Sequence, residues 1–148
     1  MLFAAGRGTR LAPLTDRHPK CLVTAGGKTL LEHNIFKLQR AGVDTLVVNI
    51  HHLSEQVKAF LRSKDFGLTI HISEETELLG QGGGLLHASK YFQGQEPFFV
   101  CNSDTYTDLD LSVLLSAHIE SPGLATLAVA NRETSRYLRF DQNNNLCG

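Results

Sequence analysis

Short apolar runs rich in β-branched residues alternate with amphipathic segments along most of this 148-residue chain, and that alternation constrains the fold more than any other feature. A strand followed by a helix and a further strand needs a crossover, which gives a parallel sheet with helices on its faces. Residues 1–5 read as a fully buried strand. Thr29, Leu30, Leu31 and Glu32 form a capping box, after which Leu31, Ile35 and Leu38 share one helical face until Gly42 supplies a stop. Residues 45–50 are β-branched and apolar, and Ser54 suits the cap of a second helix whose Val57, Phe60 and Leu61 face the sheet. Leu68, Ile70 and Ile72 then alternate with Thr69, His71 and Ser73, predicting a strand with one wetter face.

Beyond the loop 74–80, residues 85–92 read as a helix opened by the glycines Gly82, Gly83 and Gly84. Residues 97–101 read as a buried strand, 111–119 as a short helix and 125–130 as one more strand. Asp141 and the amides after it form a turn-type cluster, predicting a hairpin tip whose returning strand has barely begun at the last residue. The length suits one domain over residues 1–148. A hydrophobic fraction of 42% with 20% charged residues fits a globular chain, and no apolar run approaches the ~18 residues of a membrane span. A net charge of −1 lacks the electrostatic footprint of a nucleic-acid or anionic-lipid binder, so a small-molecule partner is expected, with no nucleic acid and no membrane. Cys21, Cys101 and Cys147 make an odd count without a C-x-x-C spacing, which argues against a disulfide framework or a zinc knuckle. With no basic leader or cleavage site at the start, a cytoplasmic location is expected.

In an open parallel sheet ligands bind beyond the carboxyl ends of the strands, so the loops after the apolar runs hold the candidate chemistry. The first runs Ala4-Ala5-Gly6-Arg7-Gly8-Thr9-Arg10-Leu11-Ala12-Pro13-Leu14-Thr15, followed by Pro19-Lys20. Glycines directly after a buried strand let backbone N–H groups close on phosphate oxygens, and the planar fork of Arg10 suits the same oxygens. A dinucleotide G-x-G-x-x-G fails at Leu11, and Pro13 interrupts the helix that should open there. A Walker A reading of Gly27-Lys28-Thr29 fails because Leu22 stands where glycine is required. His51 and His52 diverge as neighbours on one backbone and read as loop residues, not a zinc pair. Glu74, Glu75 and Glu77 read as a solvated charge run, Asp108 and Asp110 as helix caps, and Cys21 and Cys101 as small buried hydrophobes.

The first loop together with Pro19-Lys20-Cys21-Leu22 resembles the signature of the sugar-1-phosphate nucleotidyltransferases, the nucleoside-diphosphate-sugar pyrophosphorylases. The resemblance continues through Val48-Asn49, the glycines 80–84 and Asn102-Ser103-Asp104, and is strongest toward short members such as the muramate-1-phosphate uridylyltransferases and mannose-1-phosphate guanylyltransferases. It implies that Ala5, Gly6, Gly8 and Thr9 wrap the nucleotide, that Arg10 steadies the β- and γ-phosphates and that Lys20 neutralises the reacting phosphates. It also implies that Gln81, Gly82 and Gly83 approach base and ribose, and that Asp104 binds the metal. Relatives commonly place threonine where this chain has Gln81. By the same resemblance the chain corresponds to an N-terminal part, with the second metal carboxylate and much of the sugar pocket downstream of residue 148.

Such a reaction needs no general base, because a phosphate monoester with a second pKa of about 6 is already an anion at pH 7. What it needs is Mg²⁺, a guanidinium and an ammonium along one in-line path, and Arg10, Lys20 and Asp104 supply that set. The reading is therefore an α/β, Rossmann-like three-layer αβα fold with a mainly parallel sheet. Its expected activity transfers a nucleoside monophosphate from a nucleoside triphosphate, UTP or GTP, to a sugar-1-phosphate with release of pyrophosphate. The alternatives are a phosphocholine-type cytidylyltransferase and a non-catalytic nucleotide-binding module.

Overall fold

The computed structural model describes residues 1–94, 96–121, 123–131, 133–135 and 137–148. Strand β1 (Leu2–Phe3) leads into a loop carrying 3₁₀ turns at Thr9–Leu11, Leu14–Asp16 and Lys20–Leu22. A small antiparallel ladder pairs β2 (Thr24–Ala25) with β3 (Lys28–Thr29). Helix α1 (Leu30–Arg40), strand β4 (Thr45–Ile50), helix α2 (Ser54–Arg62) and strand β5 (Thr69–Glu74) follow. Helix α3 (Gly80–His87), strand β6 (Cys101–Asn102) and helix α4 (Leu111–Glu120) complete the regular elements. The main sheet has the order β5-β4-β1-β6 and all its pairings are parallel. From β1 the chain winds outward to β5 and then returns to β6 on the opposite side. Its direction reverses between β1 and β6, where an open α/β sheet leaves a crevice beyond its strand ends.

Local chemistry accounts for the elements that frame this crevice. Thr29 Oγ1 accepts the Glu32 N–H at 3.1 Å at the start of α1, and Leu31, Ile35 and Leu38 are buried along one face. Gly42, with φ +85°, takes the left-handed conformation that ends α1. Leu46, Val48 and Ile50 of β4 join Leu2, α1, Val57 and Leu61 of α2 and Leu111 of α4 in the larger apolar cluster. Val47, one residue out of phase, instead joins Met1, Phe3, Leu85 and Ala88 on the other side of the sheet. Helical segments therefore cover both faces, giving the three-layer αβα, Rossmann-like architecture expected from the pattern and the resemblance.

The structure corrects several boundaries. The second helix is not capped by Ser54; Leu53 holds the N-cap position with φ 52°, and its carbonyl accepts the Gln56 N–H at 3.0 Å. Helix α3 begins at Gly80 and takes the glycines inside it, whereas residues 89–91 form a separate 3₁₀ turn. Glycine propensity opposes that helix, but Gly84 is buried against Asn49 and Glu75 where a larger residue does not fit, so packing decides. Of residues 97–101 only Cys101 enters the ladder, and 125–130 form no strand: Leu127 and Val129 lie exposed, and none of the described residues pairs with them in a ladder. Apolar composition alone does not make a strand without a partner edge. The wetter face expected of β5 is buried at its carboxyl end, where Ser73 is enclosed. Phe140 and Leu146 bridge antiparallel around Asp141, whose Oδ1 accepts the N–H groups of Asn143 and Asn145 at 2.8 Å, as a hairpin tip requires.

Candidate nucleotide site

The crevice at the carboxyl ends of β1 and β6 opens as a cleft of about 370 Å³. Ala5, Gly6 and Arg10 of the first loop line it, facing Lys20, Gln81 at the start of α3 and Asp104 after β6. The first loop folds back over Lys20 because Gly8 permits it. At Gly8, φ is +66° and a Cβ would stand 3.0 Å from both Lys20 Cβ and Thr15 Cγ2. Buried Thr15 fastens the fold, its Oγ1 donating to the Gly8 carbonyl at 2.9 Å and its own carbonyl meeting His52 Nε2 at 3.0 Å. On the other wall, the Ser103 hydroxyl and N–H both donate to the Phe3 carbonyl, at 2.6 and 3.1 Å. Asn34 of α1 donates to the carbonyls of Ser103 and Thr105 at 3.1 and 3.0 Å, so the backbone on either side of Asp104 is held. Lys20 Nζ pairs with Asp104 Oδ2 across the cleft, and the two side chains remain 24% and 32% exposed.

Of the residues expected at the site, Ala5, Gly6, Arg10, Lys20, Gln81 and Asp104 meet around this one cleft. Gly8 supports it from behind Lys20, Thr9 lies exposed in the first 3₁₀ turn, and Gly82 and Gly83 sit inside α3 next to Gln81. Gln81 Nε2 donates to Asn102 Oδ1 at 2.9 Å, joining α3 to the end of β6. The expectation that Glu75 belongs to a solvated run is wrong. Glu75 is 3% exposed, lines the cleft and accepts from Asn49 Nδ2 at 2.6 Å. Its partner lies in β4, a non-local pairing that a charge run in the sequence conceals; the one available signal is an Asn inside an apolar strand. Glu74 pairs with Lys58 at 2.8 Å at the surface.

His51 and His52 bond backbone carbonyls of Glu75 and Thr15, and Asp110 caps α4 by accepting the Ser112 N–H at 2.8 Å. Burial pushes the Cys21 thiol up to about 12, which suits a packing residue and not a nucleophile. Among the described residues no group of three or more His, Cys, Asp and Glu side chains converges as a closed metal cage would require. Asp104, a partly exposed carboxylate in a cleft with a guanidinium and an ammonium, instead fits a hard cation shared with a ligand's phosphate oxygens, the usual binding mode of Mg²⁺.

Residues 1–143 match the nucleotidyl transferase family. The chain belongs to that family. Among its curated relatives, the N-acetylmuramate alpha-1-phosphate uridylyltransferase of Caulobacter vibrioides is 40% identical over 134 residues, covering 88% of this chain and 50% of the relative. Mannose-1-phosphate guanylyltransferase 1 of Arabidopsis thaliana is 39% identical over 142 residues, covering 93% and 39% respectively. The chain thus spans half or less of the length of these nucleotidyl transferases. HddC from Yersinia pseudotuberculosis, solved in complex with GMP-PN, superposes with a TM-score of 0.71 at 27% identity over 80% of this chain and 53% of HddC. No helix of the described residues is long and apolar enough to cross a membrane.

Proposed function

We propose that this chain carries the nucleotide-binding part of an enzyme that moves a nucleoside monophosphate from a nucleoside triphosphate onto a sugar-1-phosphate, releasing pyrophosphate. The observation that carries the reading is the meeting of Arg10, Lys20 and Asp104 at one cleft at the β1/β6 crevice. The relatives' uridylyl and guanylyl transfers and the GMP-PN bound to HddC support it, with UTP and GTP as the favoured donors. The sugar-phosphate oxygen forms a bond to the α-phosphorus while the bond to the pyrophosphate oxygen breaks. Electrostatics and positioning limit the rate, since nucleophile and donor are both anions. Arg10 holds the leaving phosphates through charge-assisted hydrogen bonds, and the Lys20 ammonium neutralises the phosphates that react. Backbone groups of Ala5 and Gly6 bound the nucleotide on one side, and the first turn of α3, at Gln81, Gly82 and Gly83, meets base and ribose on the other. Mg²⁺ when bound supplies further charge neutralisation, and Asp104 would hold it. Lys20 and Asp104 pair in the structure, and a cation held by Asp104 would leave the ammonium to phosphate. A triphosphate substrate and the free thiols of Cys21, Cys101 and Cys147 suit a reducing, cytoplasmic compartment.

The decisive experiment follows pyrophosphate release with UTP, GTP or CTP against a panel of sugar-1-phosphates and phosphocholine, using this chain beside a version extended by its natural downstream sequence. Turnover with UTP or GTP and one sugar-1-phosphate is expected in the extended version, and nucleotide binding without turnover in this chain alone. Turnover only with CTP and phosphocholine would reassign the substrate, and nucleotide binding without turnover in both versions would reduce the protein to a binding module.

A further inference from the structure

Two segments that the proposed function assigns to the nucleotide are joined through a pair of buried side chains. Ala4 N–H is shared between the Asn49 backbone carbonyl at 3.1 Å and Asn49 Oδ1 at 2.8 Å, Asn49 Nδ2 donates to Glu75 Oε1 at 2.6 Å, and Leu79 N–H donates to Glu75 Oε2 at 3.1 Å. Ala4 opens the first loop and Leu79 precedes α3, whereas Asn49 and Glu75 are 2% and 3% exposed between them. The chain of bonds has a fixed polarity. The peptide N–H groups at both ends can only donate, so Asn49 must turn its carbonyl to Ala4 and its amino group to Glu75. Residue 75 must then accept at both oxygens. A carboxylate does so; an amide of the same shape presents a donor to one of two donors. The backbone of Glu75 is separately fixed, its N–H donating to the Ile50 carbonyl at 2.8 Å and its carbonyl meeting His51 Nδ1 at 2.9 Å. Helix α3 rests directly on the pair, since a Cβ at Gly84 would stand 2.5 Å from Glu75 Oε1 and 2.7 Å from Asn49 Nδ2.

We propose that Glu75 is a positioning residue for the nucleotide: acting through Asn49 and Leu79, it sets the spacing between the first loop and the start of α3, and so the width of the cleft. The inference rests on the reading of this cleft as a nucleotide site. Its distinctive consequence is that the charge can be moved one partner along without breaking a bond. In the exchange Asn49→Asp with Glu75→Gln, Asp at 49 accepts from Ala4 and from the new amide, and the amide oxygen still accepts from Leu79.

Four proteins test this: the natural chain, Glu75→Gln, Asn49→Asp and the double exchange. Each is titrated with UTP and with GTP in the presence of Mg²⁺, well below its own melting temperature. Amide hydrogen exchange at Ala4 and Leu79 is recorded without nucleotide. Each single change is expected to weaken nucleotide affinity about tenfold, the equivalent of one buried charged hydrogen bond left unmade, and to speed exchange at Leu79 or Ala4. The double exchange is expected to return affinity to within about threefold of the natural chain and to restore protection at both amides. Single variants that melt lower but bind nucleotide as the natural chain does would overturn the proposal, leaving Glu75 a stability residue alone. A double exchange no better than either single change would overturn it too. If the natural chain binds neither nucleotide, the reading of the site fails and takes the cleft role with it, whereas unchanged exchange in the single variants would refute the linkage itself.

Discussion

Arg10 stands on an exposed 3₁₀ turn at the mouth of the cleft, where its contribution to the fold is small and its reach toward phosphate is large. Arg10→Ala is expected to weaken triphosphate binding by roughly 1.5–3 kcal/mol, the range for a hydrogen bond to a charged group, while the melting temperature stays near that of the natural chain. Titration calorimetry beside a thermal melt separates the two quantities. The thiols offer a second measurement at this scale. Cys147 is exposed, whereas burial raises the thiol of Cys101 and pushes that of Cys21 up to about 12. Iodoacetamide at pH 8 should therefore label Cys147 first and Cys21 last, as peptide mass spectrometry would show. Arg10 was legible in the sequence because a glycine turn after an apolar run announces it, whereas Lys20 and Asp104 were singled out by the family resemblance. Glu75 was not, because its burial depends on an Asn49 partner 26 positions away, and the neighbouring Glu74 and Glu77 give it the look of a surface residue.

At the scale of elements, α1, β4, α2 and β5 were legible because each carries its own signal: a capping box, a β-branched run, an amphipathic face or a strict alternation. Helix α3 and residues 125–130 were not, since close packing at Gly84 decides the first and the lack of a partner strand among the described residues the second. One tie between elements has a readable pH dependence. Lys64, just beyond α2, bonds buried Glu32 of α1 at 2.9 Å, and this hydrogen bond is the main cause that holds the Glu32 carboxyl below its ordinary value. A carboxyl depressed in the folded state stabilises the fold above its unfolded pKa, and that contribution disappears as pH falls through the folded value. Since Lys64 is about half exposed, solvent screens the pair, and Lys64→Met is expected to cost only about 0.5 kcal/mol at pH 7. Urea denaturation at pH 7 and again at pH 3 should show that difference shrinking at the lower pH.

For the whole molecule, the sheet order brings the first loop, α3 and the segment after β6 to one crevice, so a ligand bound there bridges segments far apart in sequence. Saturation with UTP or GTP and Mg²⁺ should raise the melting temperature in proportion to RT ln(1 + [L]/Kd), about 2.7 kcal/mol at a hundredfold excess over Kd. Chelation with EDTA, or Asp104→Asn, is expected to remove most of that shift while the unliganded protein melts near its usual temperature. The same sheet order governs how the chain comes together in time. Strand β1 is made well before its partners β4 and β6, and the bond from Met1 to Phe99 spans 98 positions. At roughly 5–20 residues per second, the ribosome needs about 5–20 s to deliver β6 after β1 has emerged. For that interval the apolar segment around β1 has half a seat or none, and the first loop it leads into is shaped only after Asn49, Glu75 and Ser103 have all been synthesised. The cleft is therefore among the last parts of this region to form, although the segment that opens it is made before the strands that seat it.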